Sequence, residues 1–134
     1  MPLDIRALDG RRVLIAAGLL LAAATALGAL GAHALKSQLP PERLAVYDTA
    51  VRYHFLHALG LLVVGVLMRT VDSGLLRCSA IALLAGIVLF SGSLYLLSFG
   101  LTLGMPRLVG IATPLGGVAL IAGWILFVMT MLRH

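Results

Sequence analysis

VLIAAGLLLAAATALGALGAHAL, residues 13–35, contains no charged side chain and is bounded by Arg12 and Lys36. At about 1.5 Å of helical rise per residue it spans roughly 34 Å, enough to cross a hydrocarbon core of about 30 Å. This stretch predicts a first transmembrane helix over 13–35. Arg11-Arg12 in front and Ala32-His33-Ala34 behind also suggest a signal peptide with its cleavage site. A signal's apolar region runs only about 7–15 residues, and three further apolar segments follow here, so a retained span is the better reading.

Outward from that stretch, the composition points the same way. Of 134 residues 61% are hydrophobic and 11% charged, and the mean hydropathy is +1.10. Soluble domains carry about 25% charged residues, so this inventory cannot cover a water-facing surface. The net charge of +5 is scattered through termini and loops, with no basic stripe interleaved with aromatics, which excludes a nucleic-acid partner. The basic residues are placed to meet lipid headgroups. Cys78 is the single cysteine, which excludes an intrachain disulfide and a C-x-x-C metal or redox motif.

A polar connector follows, from Lys36 to Arg52. Pro40-Pro41-Glu42 signals a helix start, and Leu44, Tyr47 and Val51 form an apolar stripe. Asp48 and Arg52 stand four apart and are expected to pair on one face. The segment reads as a short amphipathic lead-in lying at the membrane interface. The second span is expected at about 53–68, lengthened by snorkelling of Arg52 and Arg69. The third is expected at about 79–99, ended by Gly100, Gly104 and Pro106. The fourth is expected at about 108–132, with Pro114 in its first two turns.

The expectation is therefore all-α: one domain over residues 1–134, an integral membrane four-helix bundle running up-down-up-down. Both termini then share a side with Arg6, Arg11, Arg12, Arg69, Arg77 and Arg133. Lys36, Arg43, Arg52 and Arg107 fall on the other, so the positive-inside rule places the termini in the cytoplasm. Helices in lipid associate through small residues. Ala24, Gly28 and Ala32 supply them on the first span, Ala82 and Gly86 on the third. On the fourth they are Ala112, Gly116, Ala119 and Gly123.

Polar groups inside spans are costly and raise functional hypotheses. Counting helical rise from the nearest boundary puts His33 about 4.5 Å, Tyr95 about 6 Å, His57 about 7.5 Å and Thr113 about 9 Å inside one rim. With Tyr53, Ser91 and Ser93 they define a candidate ligand pocket near that membrane face. The plainer reading is interfacial anchoring and interhelical hydrogen bonding. His33 and His57 as ligands of one haem are a sharper alternative on a thin signal, and no carboxylate or thiolate joins them to hold a metal ion. Ser91 and Ser93 lack an acid–base partner at recognisable spacing, which argues against an enzyme. No span carries a polar stripe along its length, which argues against a channel.

Several stretches together carry a family likeness. These are Gly28-Ala29-Leu30-Gly31-Ala32-His33-Ala34-Leu35, Tyr53-His54-Phe55-Leu56-His57-Ala58-Leu59, Phe90-Ser91-Gly92-Ser93-Leu94-Tyr95, Thr113-Pro114-Leu115-Gly116-Gly117 and Gly123-Trp124. The chain resembles the domain-of-unknown-function 423 family, small bacterial inner-membrane proteins similar to the eukaryotic transmembrane protein 256. It departs from the pattern at Leu30, where the family usually has Phe, and at His54, where it usually has Gln. The resemblance implies four spans in a bacterial plasma membrane and no settled activity. The expected role is a structural or accessory membrane component, in contact with lipid and with a larger complex or further copies of itself. The alternative is a module binding a lipid, quinone or similar ligand in the His/Tyr pocket, and no cofactor is otherwise expected.

Overall fold

The computed structural model describes residues 7–102 and 104–134; Arg6 of the charge argument lies outside them. The described chain is helical and without strands, and four helical stretches are long and apolar enough to cross a membrane. Helix α1 is Gly10–His33, and a short 3-10 turn follows at Leu35–Ser37. Helix α2 is Pro41–Leu67. The third stretch, Gly74–Ser98, comprises α3 (Gly74–Gly86), a π-helical turn (Ile87–Ser91) and α4 (Gly92–Ser98). Helix α5 is Pro106–Arg133.

Each start has a local cause. The Asp9 carboxylate accepts the Arg12 amide at 2.8 Å, and Ser73 caps α3 through the Leu76 amide. Pro41 and Pro106 open α2 and α5 at positions where the missing N–H has no partner to lose. The loop before α5 turns on Gly100 and Gly104, both at φ 71°, a conformation that side chains with a Cβ resist. Because α5 begins at Pro106, Pro114 sits in the helix interior and leaves the Gly110 carbonyl without its usual partner.

The expected interfacial lead-in and the second span are one uninterrupted helix. Nothing between Glu42 and Leu67 breaks it, and Tyr47 and Ala50 are wholly buried against neighbouring helices. The amphipathic stripe points into the protein, and the segment continues directly into the second span.

Helices α1 and α2 run antiparallel to each other, as do the third stretch and α5. Gly10 meets the Gly65 carbonyl at one end of α1, and Gly31 meets the Tyr47 ring at the other. Along α3 to α5, Ser79 pairs with Gly123, Gly86 with Leu120 and Ser93 with Thr113. Helix α1 leans chiefly on α2, and α5 on α3, the π turn and α4; α2 also packs against that third stretch and so lies between. An apolar core of Val13, Ala17, Leu61, Val64, Leu76, Leu83 and Leu120 fills the half nearer the described termini. Leu19, Val118 and Ile121 are 68%, 63% and 62% exposed, an outer surface suited to lipid.

Helix α1 packs with a period different from the expected one. Its buried small residues are Gly10, Ala17, Ala24 and Gly31, spaced by seven, so the facing seam is a heptad stripe. Of the expected trio, Ala24 is buried, Gly28 only reaches Val51, and Ala32 is exposed. On the other pair of helices, a Cβ on Gly116 would lie 2.8 Å from the Leu89 carbonyl carbon. One on Gly123 would lie 2.8 Å from Leu83, and one on Gly86 2.5 Å from Leu120. Ala82, Ala112 and Ala119 are half-buried beside these contacts.

Candidate functional site

Helix α2 places Tyr47, His54 and Leu61 seven apart, on one buried line. The Tyr47 ring fits over Gly31, where a Cβ would come within 2.6 Å of it, and its hydroxyl donates to the Leu27 carbonyl of α1. The ring also meets Tyr95 and Phe99 edge-on, with centroids 5.5 and 5.9 Å away. Two turns further along α2, His54 Nδ1 lies 3.0 Å from the Tyr95 hydroxyl of α4. The opposite ring nitrogen, Nε2, is buried without a hydrogen-bond partner, with the Leu20 backbone of α1 near the ring.

A second group lies between α4 and α5. Ser93 and Thr113 share a hydroxyl–hydroxyl bond of 2.6 Å, and Ser93 also bonds to the Phe90 carbonyl at 2.9 Å. The π turn brings Ile87 and Ser91, four apart, both into the interior. Such wide turns insert an extra residue into a helix and are frequent at functional sites. The Ser91 hydroxyl is buried without a partner.

A third group faces outward from α2. The Tyr53 and His57 rings are nearly parallel, 5.7 Å apart, and His57 Nδ1 bonds to the Tyr53 carbonyl at 2.8 Å. That bond makes Nδ1 the donor and leaves Nε2 as an acceptor. Phe90 backs Tyr53 at 4.6 Å, and Trp124 approaches His57 at 6.1 Å. Trp124 also lies over Gly60, where a Cβ would come within 2.6 Å of the indole.

The expected pocket residues are therefore distributed among three groups. Tyr95 belongs with His54 and Tyr47; Ser93 belongs with Thr113; Tyr53 belongs with His57. His33 is exposed at the end of α1. A surface cavity lined by Val88, Leu89 and Ser93 contains a single member of the expected set. Among the described residues, no three His, Cys, Asp or Glu side chains converge as a metal site.

The surface groove between α1 and α2 differs in chemistry. It holds about 410 Å³ and is lined by Gly28, Gly31, Ala32, Lys36, Asp48 and Arg52, among others. Asp48 and Arg52 do not form the expected ion pair: among the described residues the salt bridge is Asp72 with Arg77. Both side chains are exposed, and they line the groove instead of closing on each other.

Residues 27–117 match the model of a family described as "Protein of unknown function (DUF423)". The chain belongs to this family. The UPF0382 membrane protein YwdK of Bacillus subtilis is 44% identical over 83% of this chain and 88% of its own length. A UPF0382 membrane protein of Staphylococcus epidermidis is 39% identical over 79% and 83%. The UPF0382 inner membrane protein YgdD of Escherichia coli is 38% identical over 81% and 79%. No solved structure matches. With four helices of spanning length, this DUF423 chain is a multi-pass membrane protein of unknown activity.

The part matched to DUF423 includes Gly31, Tyr47, His54, Tyr95 and Thr113. Sequence reasoning missed Tyr47, which it treated as interfacial, and Gly60. The heptad spacing from Tyr47 to His54 to Leu61 was the available signal for the first. Nothing in the sequence marked Gly60 as the seat of Trp124, because that contact joins two helices distant in the chain.

Proposed function

We propose that this protein is a structural or accessory component of a bacterial plasma membrane, with both termini in the cytoplasm. One observation carries the reading: polar side chains within the spans bridge neighbouring helices. Tyr47 to Leu27 joins α1 and α2, His54 to Tyr95 joins α2 and α4, and Ser79 to Gly123 joins α3 and α5. Ser93 to Thr113 joins α4 and α5. Groups used in this way fix the frame, leaving the lipid-facing and groove surfaces for contact with other components. The excess of arginine on the terminal side supports the orientation.

Cross-linking in native membranes, followed by purification in mild detergent, tests the role. A larger complex or a defined homo-oligomer of fixed stoichiometry is expected. A lone monomer in both preparations would overturn the reading. The proposal requires no cofactor, so a haem absorption band in the purified protein would also count against it.

The Tyr53–His57 stack favours a second reading, in which a flat hydrophobic ligand such as a quinone rests on that outer face. Its aromatic neighbours, Phe90 and Trp124, suit a flat ring, and the open Nε2 acceptor suits the hydroxyl of the reduced, quinol form, since a quinone carbonyl has no proton to donate. Co-purified quinone that disappears in His57→Ala supports it; unchanged quinone content in the variant ends it.

A further inference from the structure

We propose that the α1–α2 groove is a headgroup site for a zwitterionic aminophospholipid of the phosphatidylethanolamine class. The order of charge along the groove carries the inference. Val51 touches the position of a Gly28 Cβ at 3.4 Å, so the α2 backbone at Arg52 is roughly level with Gly28. Gly28 lies eight residues before Lys36, about 12 Å along α1. Arg52 therefore springs from a level at which α1 is wholly apolar. Asp48 lies one turn, about 6 Å, nearer the rim, and Lys36 stands at the mouth.

A charged pair at such a depth is ordinarily satisfied by pairing within the protein. Asp48 and Arg52 are instead left apart on the wall of one cavity. An aminophospholipid presents the complementary order: its phosphate is nearer the glycerol, and its primary ammonium is further out. The guanidinium suits the deeper phosphate, since arginine makes paired hydrogen bonds to phosphate oxygens. The Asp48 carboxylate, one turn outward, suits the ammonium. Gly28 and Ala32, both small, keep that side of the groove low enough for a headgroup to enter. A choline headgroup has no N–H to donate to Asp48, and a glycerol headgroup has no cation to place there.

The test reconstitutes the full chain in vesicles of equimolar phosphatidylethanolamine, phosphatidylglycerol and phosphatidylcholine and reads retained lipids by native mass spectrometry. Phosphatidylethanolamine is expected to exceed phosphatidylcholine about tenfold, the worth of one charge-assisted hydrogen bond. Asp48→Asn should remove that preference and favour phosphatidylglycerol; Arg52→Gln should lower retention of all three. Ala32→Leu fills the groove without altering charge and should displace the lipid, giving a control independent of the charged variants. A wild-type protein that retains no lipid, or retains phosphatidylglycerol above phosphatidylethanolamine, overturns the proposal. A preference unchanged in Asp48→Asn, or lipid retained equally by Ala32→Leu, does so too. Lipid retention is read separately from complex formation, so this inference and the accessory role fail independently.

Discussion

His54 of α2 and Tyr95 of α4 meet through a 3.0 Å hydrogen bond between the ring Nδ1 and the phenol. His54 is only 5% exposed, so the bond joins two helices where water is scarce. With Tyr47 edge-on to Tyr95 and bonded to the Leu27 carbonyl of α1, it ties three helices into one polar layer.

Removing that phenol isolates the histidine. Tyr95→Phe is expected to destabilise the bundle, and a double-mutant cycle with His54→Leu should return a coupling of about 0.6 kcal/mol, the average for hydrogen bonds between membrane helices, and not above about 1.7 kcal/mol, their maximum. Gln at position 54 offers an amide to the same phenol and should retain most of the stability. Reversible unfolding in mixed micelles checks both; zero coupling would mean that the pair is merely adjacent.

Gly116 and Gly110 lie on the same helix and should respond oppositely to a methyl group. At Gly116 the Cβ would collide with the backbone of Leu89 and Phe90; at Gly110 nothing lies within 4 Å. Gly116→Ala should cost about 1–3 kcal/mol through overpacking. Gly110→Ala should be neutral or stabilise by up to about 1 kcal/mol through helix propensity. Equal effects on unfolding would refute this account of the seam between α5 and the π turn.

Two buried serines also differ in sign. Ser79 donates to the Gly123 carbonyl at 2.8 Å, whereas the Ser91 hydroxyl has no partner. Ser79→Ala should lose about 0.6 kcal/mol, and Ser91→Ala should be neutral or stabilise by up to about 1 kcal/mol. Loss of stability in Ser91→Ala would reveal a bond made by that hydroxyl in the membrane.

Reporter fusions address orientation. A cytoplasm-dependent reporter after His134 should be active, and one inserted after Gln38 should be silent. A periplasm-dependent enzyme should give the reverse pattern. Activity of the same reporter at both places would break the four-crossing arrangement.

The apolar spans were legible because burial in lipid is a property of consecutive composition. Charges at Arg12, Lys36, Arg69 and Arg77 delimit them without knowledge of neighbours. Arg52 marks the start of the second span in the sequence, whereas the helix itself begins at Pro41, because helical hydrogen bonding continues through charged residues. The burial of Tyr47 depends on that continuity and on its neighbours across the bundle. The expected pocket of His33, His57, Tyr95 and Thr113 rests on depth alone, and depth leaves rotation about each helix axis undetermined.

The sequence by itself determined that this chain has four membrane-length helices and where their polar residues fall along them, since hydropathy and rise are read locally. Only the tertiary structure decided the partners: Tyr95 with His54, Thr113 with Ser93, Trp124 over Gly60, and Asp48 apart from Arg52. Those choices depend on the rotation and axial offset of helices remote in sequence. Both are set by close packing at small residues such as Gly31, Gly86 and Gly116, where a single methyl group would have forced a different seam.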